Sequence, residues 1–162
     1  MDDPLVTDDA RRLVADLTVR RETIATAESL TAGLLAATLA GVPGASCVLR
    51  GGLVTYTEGT KIALAGVARQ VLAQTGPVSA PTARALAVGA QQRCGATWGV
   101  GLTGVAGPDE HGGHPVGTVF VGVAGPTDTE VTELLLSGTR WDIRVGAVHR
   151  ALTRLRELVE AR

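Results

Sequence analysis

The order in which strand-like and helix-like segments follow one another is the feature that most limits the fold of this chain. Two short apolar segments, Thr23–Ser29 and Ser46–Tyr56, alternate with helical patterns, and a third, Trp98–Gly104, follows a longer helical pattern. The next two segments, Val116–Gly125 and Thr129–Leu136, then come without an intervening helix. Parallel strands need long crossover connections, whereas successive strands can form hairpins. The order therefore predicts an α/β fold with a mixed sheet that is covered by helices on both faces.

Helical patterns surround these strands, and cap residues and prolines mark several of their ends. Ser79 is predicted to cap one helix that has Pro81 in its first turn, and Gly51-Gly52 indicates a bulge in the second strand. The predicted helices are Thr7–Val19, Leu30–Gly41, Thr60–Leu64, Ala68–Gln74, Ser79–Cys94 and Arg140 to the C-terminus.

The composition narrows the class of protein. A chain of 162 residues fits one domain, residues 1–162, and aromatic residues make up only 2% of it, so the core must consist of Ala, Val and Leu. A net charge of −1, without arginines interleaved with aromatics, argues against nucleic-acid binding.

The sequence also contains no sign of export or of a membrane anchor. The acidic N-terminus does not resemble a signal peptide, and no segment reaches the roughly 20 apolar residues of a membrane span. We therefore expect a cytoplasmic protein without a membrane partner.

Metal chemistry has no support in the sequence. The two cysteines, Cys47 and Cys94, lack the CxxC spacing of a zinc site, and we expect both to be small buried residues. Nothing in the cysteine pattern indicates a zinc site or a disulfide scaffold.

The segment LVTYTEGTK contains both the single tyrosine of the chain, Tyr56, and its single lysine, Lys61. Every other basic residue is an arginine, and a guanidinium keeps its proton in a protein, whereas a buried amine can lose it and act as a base. Lys61 is therefore a candidate catalytic residue. The alternative is an ordinary exposed lysine in an arginine-rich chain.

Three segments with polar residues are predicted to end at the same edge of the sheet, where open α/β sheets bind ligands. They are the ends of the strands at Ser29, at Tyr56–Lys61 and at Thr103–Pro108. Ser29 is either the cap of the following helix or a nucleophile that faces free N–H groups. Glu28 is a structural carboxylate, a partner of the lysine or a catalytic group.

A serine nucleophile requires a base, and the histidines are poorly placed for that role. His149 lies on the predicted solvent face of the last helix, and His111 and His114 lie in a glycine-rich loop. A Ser–Lys pair remains, with Tyr56 as a proton relay or orienting group. Lowering a lysine pKa by about three units costs about 4 kcal/mol, which burial beside a helix N-terminus can supply.

The glycine-rich loop after Trp98–Gly104 does not match a known phosphate-binding pattern, and a simple strand connection is the alternative. The loop nevertheless brings Thr103, Thr118 and several backbone N–H groups to the same edge, where they suit a phosphate or a ribose hydroxyl. Arg140 and Arg144 are further phosphate candidates, or ordinary surface charges.

Four motifs in order resemble the CinA family, in its C-terminal, nicotinamide mononucleotide deamidase-type domain. They are TAESLTAGLLAATLAGVPGAS, GGLVTYTEGTKIALAGV, GPVSAPTARALAVGA and LTGVAGP with HPVGTVFVGVA, and together they extend from about residue 10 to residue 160. The resemblance implies a three-layer α/β/α sandwich with a mixed central sheet. It also implies hydrolysis of the carboxamide of nicotinamide mononucleotide to nicotinate mononucleotide and ammonia. The resemblance further implies that no metal or organic cofactor is needed.

The resemblance places the family's catalytic residues at Ser29, Tyr56 and Lys61. Members commonly self-associate, so a homo-oligomer is expected, with a pyridine nucleotide as the small-molecule partner. The residues that we predict to bind the substrate are Glu28, Thr31, Ala32, Gly33, Thr103, Gly104, Ala106, Gly107, Thr118 and Arg140. Among these, backbone N–H groups near Thr31–Gly33 are expected to hold the oxyanion.

The chain departs from the family pattern near both motifs. Leu30 and Ala32 replace a cysteine and a glycine, and Thr57 and Glu58 stand where an asparagine commonly follows the tyrosine. None of these changes removes a proton-transfer group, so they bear on the substrate more than on the reaction. Two alternatives stay open: a non-catalytic nucleotide-binding regulatory module, and an amidase for a different carboxamide.

Overall fold

A computed structural model describes residues 3–162 and places a five-stranded sheet in the order β2-β1-β3-β4-β5. Strands β1, β2 and β3 are parallel, β4 runs antiparallel to β3, and β5 runs antiparallel to β4. The strands are β1 (Ile24–Glu28), β2 (Leu49–Val54), β3 (Trp98–Gly104), β4 (Thr118–Ala124) and β5 (Thr129–Leu135). The mixed sheet that the order of segments predicts is confirmed.

Six α-helices cover the two faces of this sheet, which gives the three layers of an α/β/α sandwich. Helices α1, α2 and α6 pack on one face through the larger apolar residues of the core, and α3, α4 and α5 cover the other face. The helices are α1 (Asp8–Arg20), α2 (Leu34–Ala40), α3 (Glu58–Ala65), α4 (Arg69–Thr75), α5 (Ala80–Cys94) and α6 (Arg140–Glu160).

Helix α5 lies unusually close to the sheet because glycines of β3 and β4 face it. A Cβ atom at Gly101 would lie 2.4 Å from the carbonyl oxygen of Ala83, and one at Gly122 would lie 2.3 Å from the same oxygen. Gly101 and Gly122 are also partners across the β3–β4 pair. The glycines of this sheet therefore allow a close backbone approach, which a side chain of any size would prevent.

Several predicted boundaries differ from the observed ones. Strand β2 starts at Leu49 because Ala45–Cys47 form a 3₁₀ turn, and the irregularity in its pairing with β1 falls at Arg50 rather than at Gly51-Gly52. Helix α2 starts at Leu34 instead of Leu30. Helix α3 starts earlier than predicted because Thr57 and Thr60 form a capping box.

The cysteine prediction was wrong for Cys47, which is exposed because the 3₁₀ turn that contains it buries Ala45 instead; Cys94 is partly buried. Both thiols are free. Within residues 3–162, no helix combines the length and the apolar character that crossing a membrane requires.

Candidate active site

The carboxyl ends of the three parallel strands meet at one edge of the sheet, as predicted. There β1 ends at Glu28, β2 at Val54 and β3 at Gly104, and the segments that follow them enclose a cavity of about 250 Å³. Its walls include Ser29, Tyr56, Lys61, Thr103, Gly104, Ala106, Gly107 and Arg140.

Ser29 and Lys61 are in direct contact at the base of this cavity. The Nζ of Lys61 lies 3.0 Å from the Oγ of Ser29 and 2.8 Å from the carbonyl oxygen of Thr55. Lys61 is only 1% exposed. This burial lowers the pKa of Lys61 from 10.5 to about 8, while the charge of Glu58 acts in the opposite direction. The pair therefore joins a hydroxyl to an amine whose pKa, about 8, lies well below that of an ordinary lysine.

Local structure fixes both members of the pair. Ser29 directly follows β1, and its N–H donates to the carbonyl of Leu102 on β3 over 2.9 Å. Lys61 is held on the first turns of α3 by the reciprocal bonds between Thr57 and Thr60. The capping box thus orients the helix that carries the amine toward the end of β1.

Glu28 has a structural role in this arrangement. Its carboxylate is fully buried and accepts hydrogen bonds from the hydroxyls of Thr26 and Thr31 and from the N–H groups of Leu35 and Ala36. The carboxylate thereby satisfies the first N–H groups of α2, where a negative charge is favoured. Of the three roles left open for Glu28, the contacts favour the structural one, and the residue does not line the cavity.

Residues 30–33 form a turn rather than the first turn of α2, so Ser29 is not the cap of that helix; Gly33 occupies the cap position. Ala32 and Gly33 both have positive φ angles, 48° and 95°. The N–H of Ala32 donates to the carbonyl of Ser29 over 3.0 Å. Thr31, Ala32 and Gly33 do not line the cavity, whereas Leu30 does.

Tyr56 does not hydrogen-bond to either member of the pair. Its side chain is 53% exposed, and its hydroxyl accepts a hydrogen bond from Nη2 of Arg140 over 3.1 Å. Arg140 also donates through Nη1 to the carbonyl of Gly107. The structure therefore joins Tyr56 to Arg140 and to the glycine-rich loop at the rim of the cavity.

The two threonines that we predict to bind substrate are engaged elsewhere. The hydroxyl of Thr103 donates to the carbonyl of Pro77 over 2.6 Å, although the residue lines the cavity. The hydroxyl of Thr118 donates to the carbonyl of Pro115 over 2.8 Å, and Thr118 lies outside the cavity wall. The backbone of Gly104, Ala106 and Gly107 remains as the part of this loop that faces the cavity.

Sequence reasoning missed several wall residues. Asp109 and His111, from the glycine-rich loop, line the cavity, and so do Pro77 and Val78. The polar residues between the glycines of this loop could have indicated these positions. The path of so long a loop does not follow from its sequence, however, so the side of the sheet on which it lies was not predicted.

The two remaining candidates, an arginine and a histidine, lie away from the cavity. Arg144, a phosphate candidate, instead donates to the backbone of the turn after Ser29. His149 is exposed on α6 as predicted.

Metal-ligand chemistry is not visible in the described part of the chain. Residues 3–162 contain no group of three or more His, Cys, Asp or Glu side chains arranged to hold a metal ion.

The sequence is similar to that of known proteins over most of its length. A family model described as the CinA C-terminal domain matches residues 7–159. The CinA-like protein of Anaeromyxobacter sp. (strain Fw109-5) is 50% identical over 147 residues, which cover 89% of this chain and 35% of that protein. The CinA-like protein of Frankia casuarinae is 45% identical over 153 residues, covering 94% of this chain and 35% of that protein. The chain thus spans about a third of the length of these curated relatives.

Solved structures with the same fold carry related names. The crystal structure of competence/damage inducible protein CihA from Agrobacterium tumefaciens superposes with a TM-score of 0.92 at 34% identity and covers 98% of each chain. A CinA superfamily protein from Klebsiella pneumoniae 700603 superposes with a TM-score of 0.93 at 26% identity, covering 96% of this chain and 98% of that one.

Proposed function

Because the chain belongs to the CinA C-terminal domain family, we propose that it is an amidohydrolase and that it hydrolyses the carboxamide of nicotinamide mononucleotide. The products are nicotinate mononucleotide and ammonia. The motif resemblance around Ser29, Tyr56 and Lys61 supports this reaction. The single observation that carries the proposal is the 3.0 Å contact between the buried Nζ of Lys61 and the Oγ of Ser29.

The lowered pKa makes Lys61 suitable as the general base. With a pKa of about 8, about a tenth of the Lys61 amines are neutral at pH 7, whereas an ordinary lysine is neutral in only about one molecule in 3,000. At the observed distance a neutral Nζ accepts the hydroxyl proton of Ser29, and a protonated Nζ donates to Oγ. The same contact therefore serves both directions of proton transfer.

The reaction proceeds in two halves. Ser29 Oγ forms a bond to the carboxamide carbon while its proton passes to Lys61, and the tetrahedral intermediate then expels ammonia as Lys61 returns the proton to the leaving nitrogen. Water next attacks the acyl ester on Ser29, with Lys61 again taking the proton. As the ester bond breaks, Lys61 returns this proton to Ser29 Oγ, and the product acid leaves as a carboxylate after losing its own proton to water.

The oxyanion requires N–H donors near the nucleophile. From the sequence we expect an N–H group near Thr31–Gly33 to bind the oxyanion. The N–H of Ala32, however, already donates to the carbonyl of Ser29 and is therefore not free to do so. Leu30 follows Ser29 directly and lines the cavity. We therefore assign the N–H of Leu30 as the first oxyanion donor.

The rim of the cavity suits the 5′-phosphate of the substrate. Arg140 lies there beside Tyr56 and the carbonyl of Gly107, and its guanidinium can bind a phosphate in place of these neutral acceptors. The backbone of Ala106 and Gly107 lies next to it. Tyr56 in this scheme orients Arg140 rather than relaying a proton.

Release of ammonia from nicotinamide mononucleotide by the purified protein tests the proposal. The wild type and the exposed-loop control Ser137→Ala should release ammonia at equal rates, and Ser29→Ala should reduce the rate by about 10³-fold or more. Wild-type turnover in Ser29→Ala would disprove the assigned nucleophile. Tight nucleotide binding without ammonia release would favour the regulatory module, and release from other pyridine amides alone would favour a different amidase.

A further inference from the structure

Arg144 contacts the turn that follows Ser29, although it is more than 110 positions away in the sequence. Its Nε donates to the carbonyl of Leu30 over 2.9 Å, and its Nη2 donates to the carbonyl of Thr31 over 3.3 Å. The side chain is partly buried. One guanidinium thus holds two consecutive carbonyls of the segment that carries the candidate nucleophile.

Arg144 uses its guanidinium to bind this turn and forms no ion pair with a carboxylate of residues 3–162. The ring of Trp141 lies 5.6 Å from the Cζ of Arg144, a distance at which an indole attracts a cation. Trp141, three positions earlier on α6, therefore adds a cation–π contact to the same guanidinium.

The turn itself requires outside support. Ala32 lies in the left-handed region with a φ of 48°, which costs about 1 kcal/mol or more for a residue with a Cβ. On the inner side, buried Glu28 accepts the hydroxyl of Thr31 over 2.7 Å. On the outer side, Arg144 supplies the only charged contact described for the two carbonyls. The carboxylate of Glu28 and the guanidinium of Arg144 thus together hold the backbone of the turn that follows Ser29.

We propose that Arg144 is a positioning residue which fixes the turn after Ser29, and with it the direction of the Ser29 hydroxyl toward Lys61 and the substrate. The inference rests on the proposed function through the nucleophilic role of Ser29. Arg144 touches neither the substrate cavity nor the reacting atoms. It acts through the backbone of Leu30 and Thr31.

The geometry specifically requires an arginine. The two donors belong to one planar fork, and they reach carbonyls of successive residues at fixed directions, whereas an ammonium is a single point charge on a flexible stem. A lysine at position 144 keeps the charge and loses the fork. Arg144→Lys therefore separates positioning from a general electrostatic effect.

The test uses a fluorophosphonate, a serine-directed reagent that needs no natural substrate. In this reaction Ser29 Oγ forms a bond to phosphorus, fluoride leaves, and the hydroxyl proton passes to Lys61. Arg144→Lys should be labelled at least about tenfold more slowly than the wild type, because small misplacements of a nucleophile are costly. With nicotinamide mononucleotide, kcat should fall by a similar factor with KM unchanged. Arg150→Lys, at an exposed site on the same helix, is the matched control and should behave as wild type.

Hydrogen exchange of backbone amides supplies the second measurement. In Arg144→Lys the amides of Ala32 and Leu34, which the hydrogen bonds of the turn protect, should exchange about tenfold faster or more, while those of β3 keep wild-type rates. Wild-type labelling, or wild-type exchange in the turn, would overturn the inference. Absence of labelling in the wild type would instead refute the nucleophilic role of Ser29, and exchange alone would then decide whether Arg144 holds the turn.

Discussion

The Nζ of Lys61 lies 3.0 Å from the Oγ of Ser29, although 32 positions separate the two residues in the chain. The contact joins the end of β1 to the first turns of α3, and the amine that makes it is withdrawn from solvent. Burial destabilises the charged form of an amine, so the contact combines a hydroxyl with a base of unusually low pKa. Four of the predictions below concern this contact and the cavity above it.

The rate of amide hydrolysis should depend on pH through Lys61. Its pKa is lowered to about 8, and the neutral amine is the active base, so kcat/KM should rise about tenfold per pH unit below 8 and level off above it. Because the charge of Glu58 raises the pKa of Lys61, Glu58→Gln should shift this limb to lower pH. Steady-state kinetics over pH 5.5–10 measures both effects. Glu133→Gln, on the exposed edge of β5, should leave the profile in place, and a profile unaffected by Glu58→Gln would contradict the electrostatic account.

Stability should also depend on pH through Lys61. The folded-state pKa, about 8, lies below the ordinary value of 10.5, so between these values the unfolded chain binds more protons and the free energy of unfolding rises with pH. Relative to Lys61→Met, the wild type should gain about 3 kcal/mol between pH 7.5 and pH 10.5. Urea unfolding of both proteins at each pH measures the change. A constant difference between them would show that burial does not penalise the charged amine.

Binding of the substrate phosphate should depend on Arg140. Loss of a charge-assisted hydrogen bond costs about 1.5–3 kcal/mol, so Arg140→Met should raise the KM for nicotinamide mononucleotide by about 10- to 100-fold. The KM for nicotinamide riboside, which lacks the phosphate, should stay the same. Arg150→Met serves as the control for loss of a positive charge on α6. Equal effects on both substrates would assign Arg140 a role other than phosphate binding.

The close packing of α5 predicts a large cost for a methyl group at Gly101. Its Cβ would lie 2.4 Å from the carbonyl oxygen of Ala83, and the helix must move to accept it. We expect Gly101→Ala to lower the free energy of unfolding by about 3 kcal/mol. Gly59→Ala is the matched control, because a Cβ there meets its nearest atom at 3.8 Å and should stabilise α3 by up to about 1 kcal/mol. Equal stabilities of the two variants, measured by urea unfolding, would contradict the packing.

The arrangement of strands was predictable because it depends on local patterns and on general rules of connection. The apolar segment at Trp98–Gly104 matches β3 residue for residue. Ser79 was recognisable as a cap because Pro81 follows it, and its side chain indeed accepts from the N–H of Thr82. The shared edge of β1, β2 and β3 follows from their parallel order alone.

The roles of Glu28 and Arg144 were not predictable in the same way, because contacts between separate structural elements determine them. Glu28 accepts bonds from residues up to eight positions away, and these include the N–H of Ala36. Arg144 reaches across 113 positions to Thr31. Residues 30–33 have a composition typical of a helix although they form a turn, so the start of α2 at Leu34 was not predicted. Composition describes what a segment can form, whereas tertiary contacts decide which option is stable.

The most direct test of the central claim is the NMR titration of the Lys61 side chain. Because Lys61 is the single lysine of the chain, labelling with ¹⁵N,¹³C-lysine gives one side-chain amine signal without any mutation. The account predicts that this signal titrates with a pKa of about 8. Titration near 10.5, the value of a lysine in solvent, would contradict a neutral base beside Ser29 and with it the proposed mechanism.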